Sequence, residues 1–475
     1  MTKRTASPKV AVSVVYVATF FMFILDSTVV NVALPTLRVD FHTSAAAVSS
    51  VVTSYLVALA VAMPAAGWLG DRFGGRRVLL TALAAFTLAS ALCGVSSGLG
   101  MLIAFRALQG AAGGLSLPVG TAMLYRTFPP AERVRATRIL MVPTLIAPAL
   151  GPILGGLLVD DLSWRWIFYA NVPIGVFVLI YGLLFLAPHR QDPPGPFDVR
   201  GFVLVATGFP LAMYALTDGS VTGWGSPPIV AAAAAAVVLL ALFVRVCLRS
   251  RSPVLRLRLL ADRGYRTANL VLTVGGAGFL GILFLAPVFL QNGLGFTALH
   301  SGLSTFTEAV GGMAGIQISS RLFPRTGPRP LMGGGLAGAA VFVGLMAFVG
   351  AAQASWAMPL LMLGTGMAFA FAMAPGQVTA LAGISAQVLA QATTLTSVLR
   401  QAGSAAGVAL VATCLALLLP GTGLHPGTGS LDAYHVSFGA GCLVLACGSA
   451  VGWRIRKADA LAAMVTTPPE PAVAA

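Results

Sequence analysis

Fourteen apolar stretches, each about as long as a bilayer is thick, set the limits on what this chain can fold into. They run near 11–33, 48–69, 78–97, 99–125, 137–159, 165–186, 199–217, 228–248, 266–291, 300–320, 330–350, 356–375, 393–418 and 436–455. A hydrocarbon core about 30 Å thick needs about 20 apolar residues per helical span. The eighth stretch contains six alanines, Ala231 to Ala236, which favour helix. Only 9% of the 475 residues are charged, against roughly 25% in a soluble globular domain. So few charges cannot build a water-facing surface, and lipid is the solvent this sequence suits.

The net charge of +15 could suggest nucleic acid, but its placement excludes that reading. The basic residues sit in short clusters between the apolar runs. With the N-terminus placed in the cytoplasm, 25 of the 29 fall on inside segments, as the bias of Lys and Arg toward the cytoplasmic side requires. Arg38 and Arg165 fall outside, and Arg106 and Arg400 fall within spans. An even number of spans also puts the basic cluster Arg454, Arg456 and Lys457 inside. Lys3, Arg4 and Lys9 precede the first run like the start of a signal peptide. That run is too long for one and reads as a retained first span.

The organisation expected from this pattern is all-α and integral to the membrane. A six-helix bundle covers 1–190, two extra transmembrane helices and a basic cytoplasmic linker cover 191–262, a second six-helix bundle covers 263–457, and a cytoplasmic tail, expected to be disordered, covers 458–475. A faint parallel repeat supports two halves. Leu69-Gly-Asp-Arg-Phe-Gly-Gly-Arg76 follows the second span and Leu322-Phe-Pro-Arg-Thr-Gly-Pro-Arg329 the tenth, with Arg, Gly and Arg at matching offsets and Pro324 in place of Asp71. Two similar halves around a central site are a common transporter plan.

Several motifs carry a family resemblance. Gly67-Trp-Leu-Gly-Asp-Arg-Phe-Gly-Gly-Arg-Arg77 resembles the loop signature of the major facilitator superfamily. Leu102-Ile-Ala-Phe-Arg-Ala-Leu-Gln-Gly-Ala-Ala-Gly-Gly114 and Ala147-Pro-Ala-Leu-Gly-Pro-Ile-Leu-Gly-Gly156 resemble the fourth- and fifth-span motifs of its drug:proton antiporters, with Ala147 where the family pattern begins with Gly. Leu25-Asp-Ser-Thr-Val-Val-Asn-Val-Ala-Leu-Pro35, Trp164-Arg-Trp-Ile-Phe-Tyr-Ala-Asn-Val-Pro-Ile-Gly175 and Arg400-Gln-Ala-Gly-Ser-Ala-Ala-Gly407 look like the first, sixth and thirteenth spans of the fourteen-helix drug:proton antiporter subfamily. The resemblance implies the major facilitator fold, two six-helix bundles plus two central helices, with both termini cytoplasmic. It implies multi-pass residence in the cell (inner) membrane, and export of amphipathic, drug-like molecules in exchange for protons by alternating access, that is, multidrug efflux and antibiotic resistance. A dedicated exporter of an endogenous metabolite, antibiotic or lipid on the same fold is the alternative.

Each motif also has a physical reading. Gly74 and Gly75 permit a left-handed backbone in the tight turn, and Asp71 can pair with nearby arginines; Gly67, Arg72, Arg76 and Arg77 complete that loop. Pro152 can kink the fifth span, and Gly151, Gly155 and Gly156 let another helix approach closely. Arg400 joins these as a conformational motif residue. Asp26 and Glu308 are the acidic residues well inside spans. Burial favours the neutral acid and a nearby cation the carboxylate, so either group suits proton coupling. Arg106 is expected beside Asp26, because an intramembrane charge usually has a partner. The surroundings of Glu308 resemble a family variant that often has Pro where this chain has Thr307. By resemblance the first, fourth, ninth and twelfth spans line a mostly apolar cavity, with Phe23, Asn31, Tyr55, Gln109, Phe279, Phe284, Gln291 and Phe371 as candidate lining.

Other classes fit poorly. No Gly-x-x-x-x-Gly-Lys-Ser/Thr loop occurs, so the chain does not hydrolyse ATP. The five histidines (His42, His189, His300, His425 and His435) show no ligand spacing, and the five cysteines lie in or beside apolar runs. No enzyme activity, metal or cofactor is expected, the proton gradient being the energy source. The expected partners are a small-molecule substrate, protons and membrane lipids around a monomer, with no nucleic acid.

Overall fold

The computed structural model describes residues 7–129, 132–187, 195–385, 387–418, 431–456 and 458, and among these there is no strand. The helices are α1 (Pro8–Asp40), α2 (Ala45–Ala62), α3 (Ala66–Phe73), α4 (Gly75–Gly94), α5 (Leu99–Thr127), α6 (Arg133–Asp161), α7 (Arg165–Tyr169), α8 (Asn171–Phe185), α9 (Val199–Thr222), α10 (Pro227–Arg249), α11 (Arg263–Val288), α12 (Ala298–Thr326), α13 (Pro328–Met346), α14 (Ala351–Ala382), α15 (Leu389–Leu418) and α16 (Leu431–Gly452). The tail expected over 458–475 lies outside the described residues, apart from 458.

Among the described residues, twelve helical segments are long and apolar enough to cross a membrane. The fifth and tenth expected spans are helices of 29 residues each, α6 and α12, but stand outside the twelve. For α12 the composition explains this: it carries His300, several Ser and Thr, Glu308 and Gln317. α6 keeps a charge-free apolar stretch between Arg138 and Asp160. Two expected spans are also interrupted. A 3-10 turn at Met63–Ala65, containing Pro64, joins α2 to α3, and α7 breaks from α8 at Ala170. Proline removes a backbone donor and forces such breaks.

The chain forms two compact units. The first comprises Met1–Thr127, Val142–Arg258 and Ala386–Gln401; the second comprises Phe128–Met141, Leu259–Ser385 and Ala402–Ala475. In the first, α2 packs on α5, α5 on α4, and α8 on both α1 and α4. The two central helices belong to this unit, α9 lying against α2 and α10 against α9. In the second unit α14 packs on α12, α13 and α11, and α16 on α13 and α11.

Small residues set the closest of these approaches. A Cβ at Gly110 or Gly114 of α5 would collide with the carbonyl oxygens of Tyr55 and Leu59 in α2. In the second unit a Cβ at Gly311 or Gly315 of α12 would meet the carbonyls of Leu363 and Met367 in α14. Where lipid tails are as apolar as the side chains, such backbone proximity holds helices together by van der Waals contact. The repeat seen in the sequence has a backbone counterpart. Gly74 ends α3 at φ 88° and Gly327 ends α12 at φ 80°, values open to glycine and strained for other residues.

Candidate functional site

Inside the first unit, α1, α4, α5 and α8 converge on the Asp26 carboxylate, which is 1% exposed. Arg106 and Gln109, three apart on α5, share a helix face and both reach it. Arg106 Nη1 donates to Asp26 Oδ2 at 2.5 Å, and Gln109 Nε2 donates to Asp26 Oδ1 at 3.3 Å. Asn171 at the start of α8 donates to the same Oδ1 at 2.8 Å and to Ser90 Oγ at 3.2 Å. Ser90 in turn donates to the Phe168 carbonyl at 2.9 Å. The break between α7 and α8 makes that possible, because it takes the Phe168 carbonyl out of a continuous helical ladder. Pro173, just inside α8, could not have continued that ladder.

Arg106 is fully buried. Its Nη1 also donates to Gln109 Oε1 at 3.0 Å and its Nε to the Val51 carbonyl at 3.3 Å, while Nη2 has no hydrogen-bond partner. The guanidinium lies over the Tyr55 ring, 4.3 Å from its centroid, with Phe168 at 5.9 Å. Desolvating both charges is costly, and only close geometry with further hydrogen bonds offsets it. Here three donors surround the carboxylate, and an aromatic face meets the cation. A latch on one edge fixes α7: Trp164 Nε1 donates to Asp40 Oδ2 at 2.6 Å, and Arg165 lies over the Trp164 ring at 4.3 Å.

Glu308 in the second unit is built differently. It is 3% exposed, its Oε1 has no hydrogen-bond partner, and it has no cation partner among the described residues. It sits against α14, where a Cβ at Gly366 would meet the Glu308 backbone carbonyl. Thr307, beside it, donates to the Pro359 carbonyl of α14 at 2.6 Å. A proline at 307 could not make that bond, so this chain ties α12 to α14 where the family variant would bend it.

The loop motif is assembled as well. Asp71 is 6% exposed; its Oδ1 accepts from Arg126 Nη2 at 3.1 Å and its Oδ2 from Gln391 Nε2 at 3.4 Å. Arg76 Nη2 donates to the Leu183 carbonyl at 2.6 Å, Gly67 packs against Thr394, and Arg72 and Arg77 are exposed. On α6, a Cβ at Gly151 would meet the Thr28 side chain and one at Gly155 would meet Val32, whereas Gly156 faces open space. Pro152 lies between them, its side chain outside the described set. Arg400 is half-buried in α15.

The cavity candidates fall in several settings. In the first unit Phe23 is buried against Phe86 at 4.3 Å, Tyr55 lies under Arg106, Gln109 belongs to the Asp26 network, and Asn31 is exposed. In the second, Phe279 stacks on Phe369 at 3.8 Å, and Phe284 is half-buried. Phe371 packs on the Phe323 cluster. Gln291, in the π-helical turn Phe289–Gly293, donates to Ser301 Oγ at 3.4 Å. Sequence reasoning missed Asn171, Ser90 and Gln391 as network members. Asn171 lies in the sixth-span motif, a signal that could have found it; Ser90 and Gln391 carried none. Among the described residues no group of three or more His, Cys, Asp or Glu could hold a metal ion.

A sequence profile of the Major Facilitator Superfamily matches residues 16–408. The chain belongs to the major facilitator superfamily. It is 33% identical over 396 residues to the multidrug resistance protein B homolog of Mycobacterium tuberculosis (strain CDC 1551 / Oshkosh), covering 82% of this chain and 73% of that one. It is 35% identical over 318 residues to the putative multidrug resistance protein MdtD of Escherichia coli O1:K1 / APEC, covering 66% of each. Two solved structures share the fold. One is the human organic anion transporter MFSD10 (TETRAN), with a TM-score of 0.65 at 16% identity over 93% of this chain and 100% of the other. The second is a proton:xylose symporter, with a TM-score of 0.59 at 15% identity over 92% and 95%. This is therefore a multi-pass membrane transporter of the superfamily with multidrug resistance homologues, and not an enzyme.

Proposed function

We propose that this transporter exports amphipathic, drug-like small molecules across the cell (inner) membrane in exchange for protons, by alternating access. Fourteen spans with both termini in the cytoplasm complete the reading, α6 and α12 crossing alongside the other twelve segments. It works as a monomer and needs no cofactor beyond the proton gradient. The observation that carries the proposal is the contrast between two buried carboxyl groups. Asp26 is saturated by a guanidinium and two amides, whereas Glu308 has no cation. The charge state of a group such as Glu308 depends on whether water or a cation reaches it. A transport cycle that alternates its access alters that condition twice per turnover. Asp26 and Arg106 form the second element, a charge pair whose disruption would strand a buried charge and which therefore holds the first unit together through the cycle. The relatives named for multidrug resistance support the substrate class.

The test is efflux of a fluorescent lipophilic cation from cells producing the protein, with and without a protonophore. Efflux that collapses with the proton gradient, and that Asp26→Asn or Glu308→Gln abolishes, is the expected result. Gradient-dependent efflux retained in the double variant would refute the coupling assignment.

A further inference from the structure

Arg400 is a charge for which the proposed exchange has no use. It is the twelfth of the 30 residues of α15, roughly 16 Å along the helix at about 1.5 Å per residue. It is half-buried, and among the described residues no carboxylate pairs with it and no hydrogen bond holds it. A cation so deep in a spanning helix is expensive, and as a rule it marks a substrate or ion pathway. Its electrostatic neighbours are the Tyr16 and Tyr125 hydroxyls, both of which belong to residues 1% exposed.

The surroundings are buried and polar. The Tyr16 hydroxyl is buried without a hydrogen-bond partner, with the Thr121 hydroxyl close by. Thr19, three residues along α1, is 0% exposed and its hydroxyl is also unpartnered. Buried hydroxyls are nearly always paired; the Thr19 hydroxyl is not, and the Tyr16 hydroxyl, one turn away and an electrostatic neighbour of the guanidinium, has only Thr121 near it as a partner. Apolar walls flank them: Tyr16 stacks on Phe20 at 3.9 Å, and a Cβ at Gly120 of α5 would touch both rings. α15 is held to α5 about two turns before Arg400, where Thr393 donates to the Pro118 carbonyl at 3.2 Å.

We propose that Arg400, with the hydroxyls of Tyr16 and Thr19, forms a recognition site for the acidic group of an amphipathic organic anion, a carboxylate or its equivalent, whose apolar body rests on the Phe20 side. A planar guanidinium matches a carboxylate in two-point geometry, and each hydroxyl donates to a remaining oxygen. The proposal rests on the exporter reading and extends its substrates to acids. Glu308, in the other unit, suits the opposite charge, so export of cations does not bear against it.

The experiment compares 1-pyrenebutyrate with its methyl ester, by fluorescence titration of the purified full chain in nanodiscs of neutral lipid. The wild type should bind the acid roughly 10- to 100-fold more tightly than the ester, the range for a charge-assisted hydrogen-bonded pair. Arg400→Gln should bring the acid down to the ester's affinity while leaving the ester unchanged. Arg400→Lys should keep part of the preference, and Tyr16→Phe should reduce it by about 3- to 10-fold. Repeating the titration with phosphatidylglycerol in the disc separates two sources of anion. Competition by that lipid supports the site and names a headgroup as an occupant; its absence leaves the organic acid as the ligand. A wild type that does not distinguish acid from ester overturns the proposal, as does a preference retained in Arg400→Gln or an equal loss of both ligands. Efflux of the ester from cells tests the exporter reading separately, because the ester carries no acidic group.

Discussion

Breaking the Asp26–Arg106 pair from one side should be far more damaging than removing both charges. Asp26→Asn keeps the shape of the side chain and its contact with Asn171 at 2.8 Å. It leaves the Arg106 guanidinium, fully buried, without a counter-charge. Its remaining partners are then the Val51 carbonyl at 3.3 Å, Gln109 Oε1 at 3.0 Å and the Tyr55 face. Removing one member of a buried pair costs about 3–5 kcal/mol, most of it the penalty of the stranded charge. Arg106→Gln strands the carboxylate and should cost a similar amount, eased by the two amides that still donate to it. The double variant strands neither charge. Its destabilisation should therefore fall short of the sum of the two single losses by about 2–3 kcal/mol, at the upper end of coupling between contacting residues. The measurement is equilibrium unfolding in mixed dodecylmaltoside–sodium dodecyl sulfate micelles, with all four proteins compared at one pH. Additivity within about 0.5 kcal/mol would mean that the two groups do not share a site, and the reasoning would fail.

Four further substitutions test other parts of the structure by the same unfolding assay, the last of them by efflux as well. Asn171→Ala removes donors to Asp26 and to Ser90 and should cost about 1–3 kcal/mol, the price of leaving buried acceptors short of a partner. Gly110→Leu would drive a side chain into the Tyr55 carbonyl and should cost at least about 1–3 kcal/mol through overpacking. Gly156→Ala meets nothing and should be neutral or stabilising by up to about 1 kcal/mol through helix propensity; a reversal of that order would contradict the packing of α5 on α2. Glu308→Gln replaces an unpartnered buried carboxyl by a neutral isostere. Stability should hold or rise while dependence of efflux on the proton gradient disappears, and a large loss of stability would show that the carboxylate has a structural partner.

How much of this was legible beforehand differs between the fold and the site. The span pattern was readable because lipid imposes one rule on every stretch, about 20 apolar residues between polar ends. Where the stretch is locally polar the rule weakens, and α12, with its His, Glu, Ser and Thr, stands outside the twelve segments apolar enough to cross on composition alone. The meeting of Asp26 with Arg106 was readable from scarcity, since an unpaired intramembrane charge is costly and few partners were on offer. Asn171, Ser90 and Gln391 were not readable, because a neutral polar side chain is cheap enough to occur anywhere. Its role depends on helical phase, and when both faces of a helix are apolar, periodicity gives no phase. The break between α7 and α8, which turns the Phe168 carbonyl toward Ser90, depends likewise on backbone geometry.

The faint repeat in the sequence clarifies why the two units differ chemically while resembling each other in backbone. Gly74 and Gly327 end corresponding helices with the same positive φ, so the turn is kept. At the carboxylate position of that turn the second copy has Pro324, which can accept no hydrogen bond through its side chain, so the contacts that Asp71 makes with Arg126 and Gln391 have no counterpart there. The buried acids diverge in the same way. The first unit surrounds Asp26 with three donors, and the second leaves a Glu308 oxygen bare. A saturated pair resists a change in its charge state, because any change strands a neighbour. A bare carboxyl strands nothing when it gains or loses a proton. If one carboxyl cycles through protonation while the other holds the scaffold, the physical cost assigns cycling to Glu308 and the holding role to Asp26. Single variants should then separate: Glu308→Gln should lose coupling with stability intact, and Asp26→Asn should lose both.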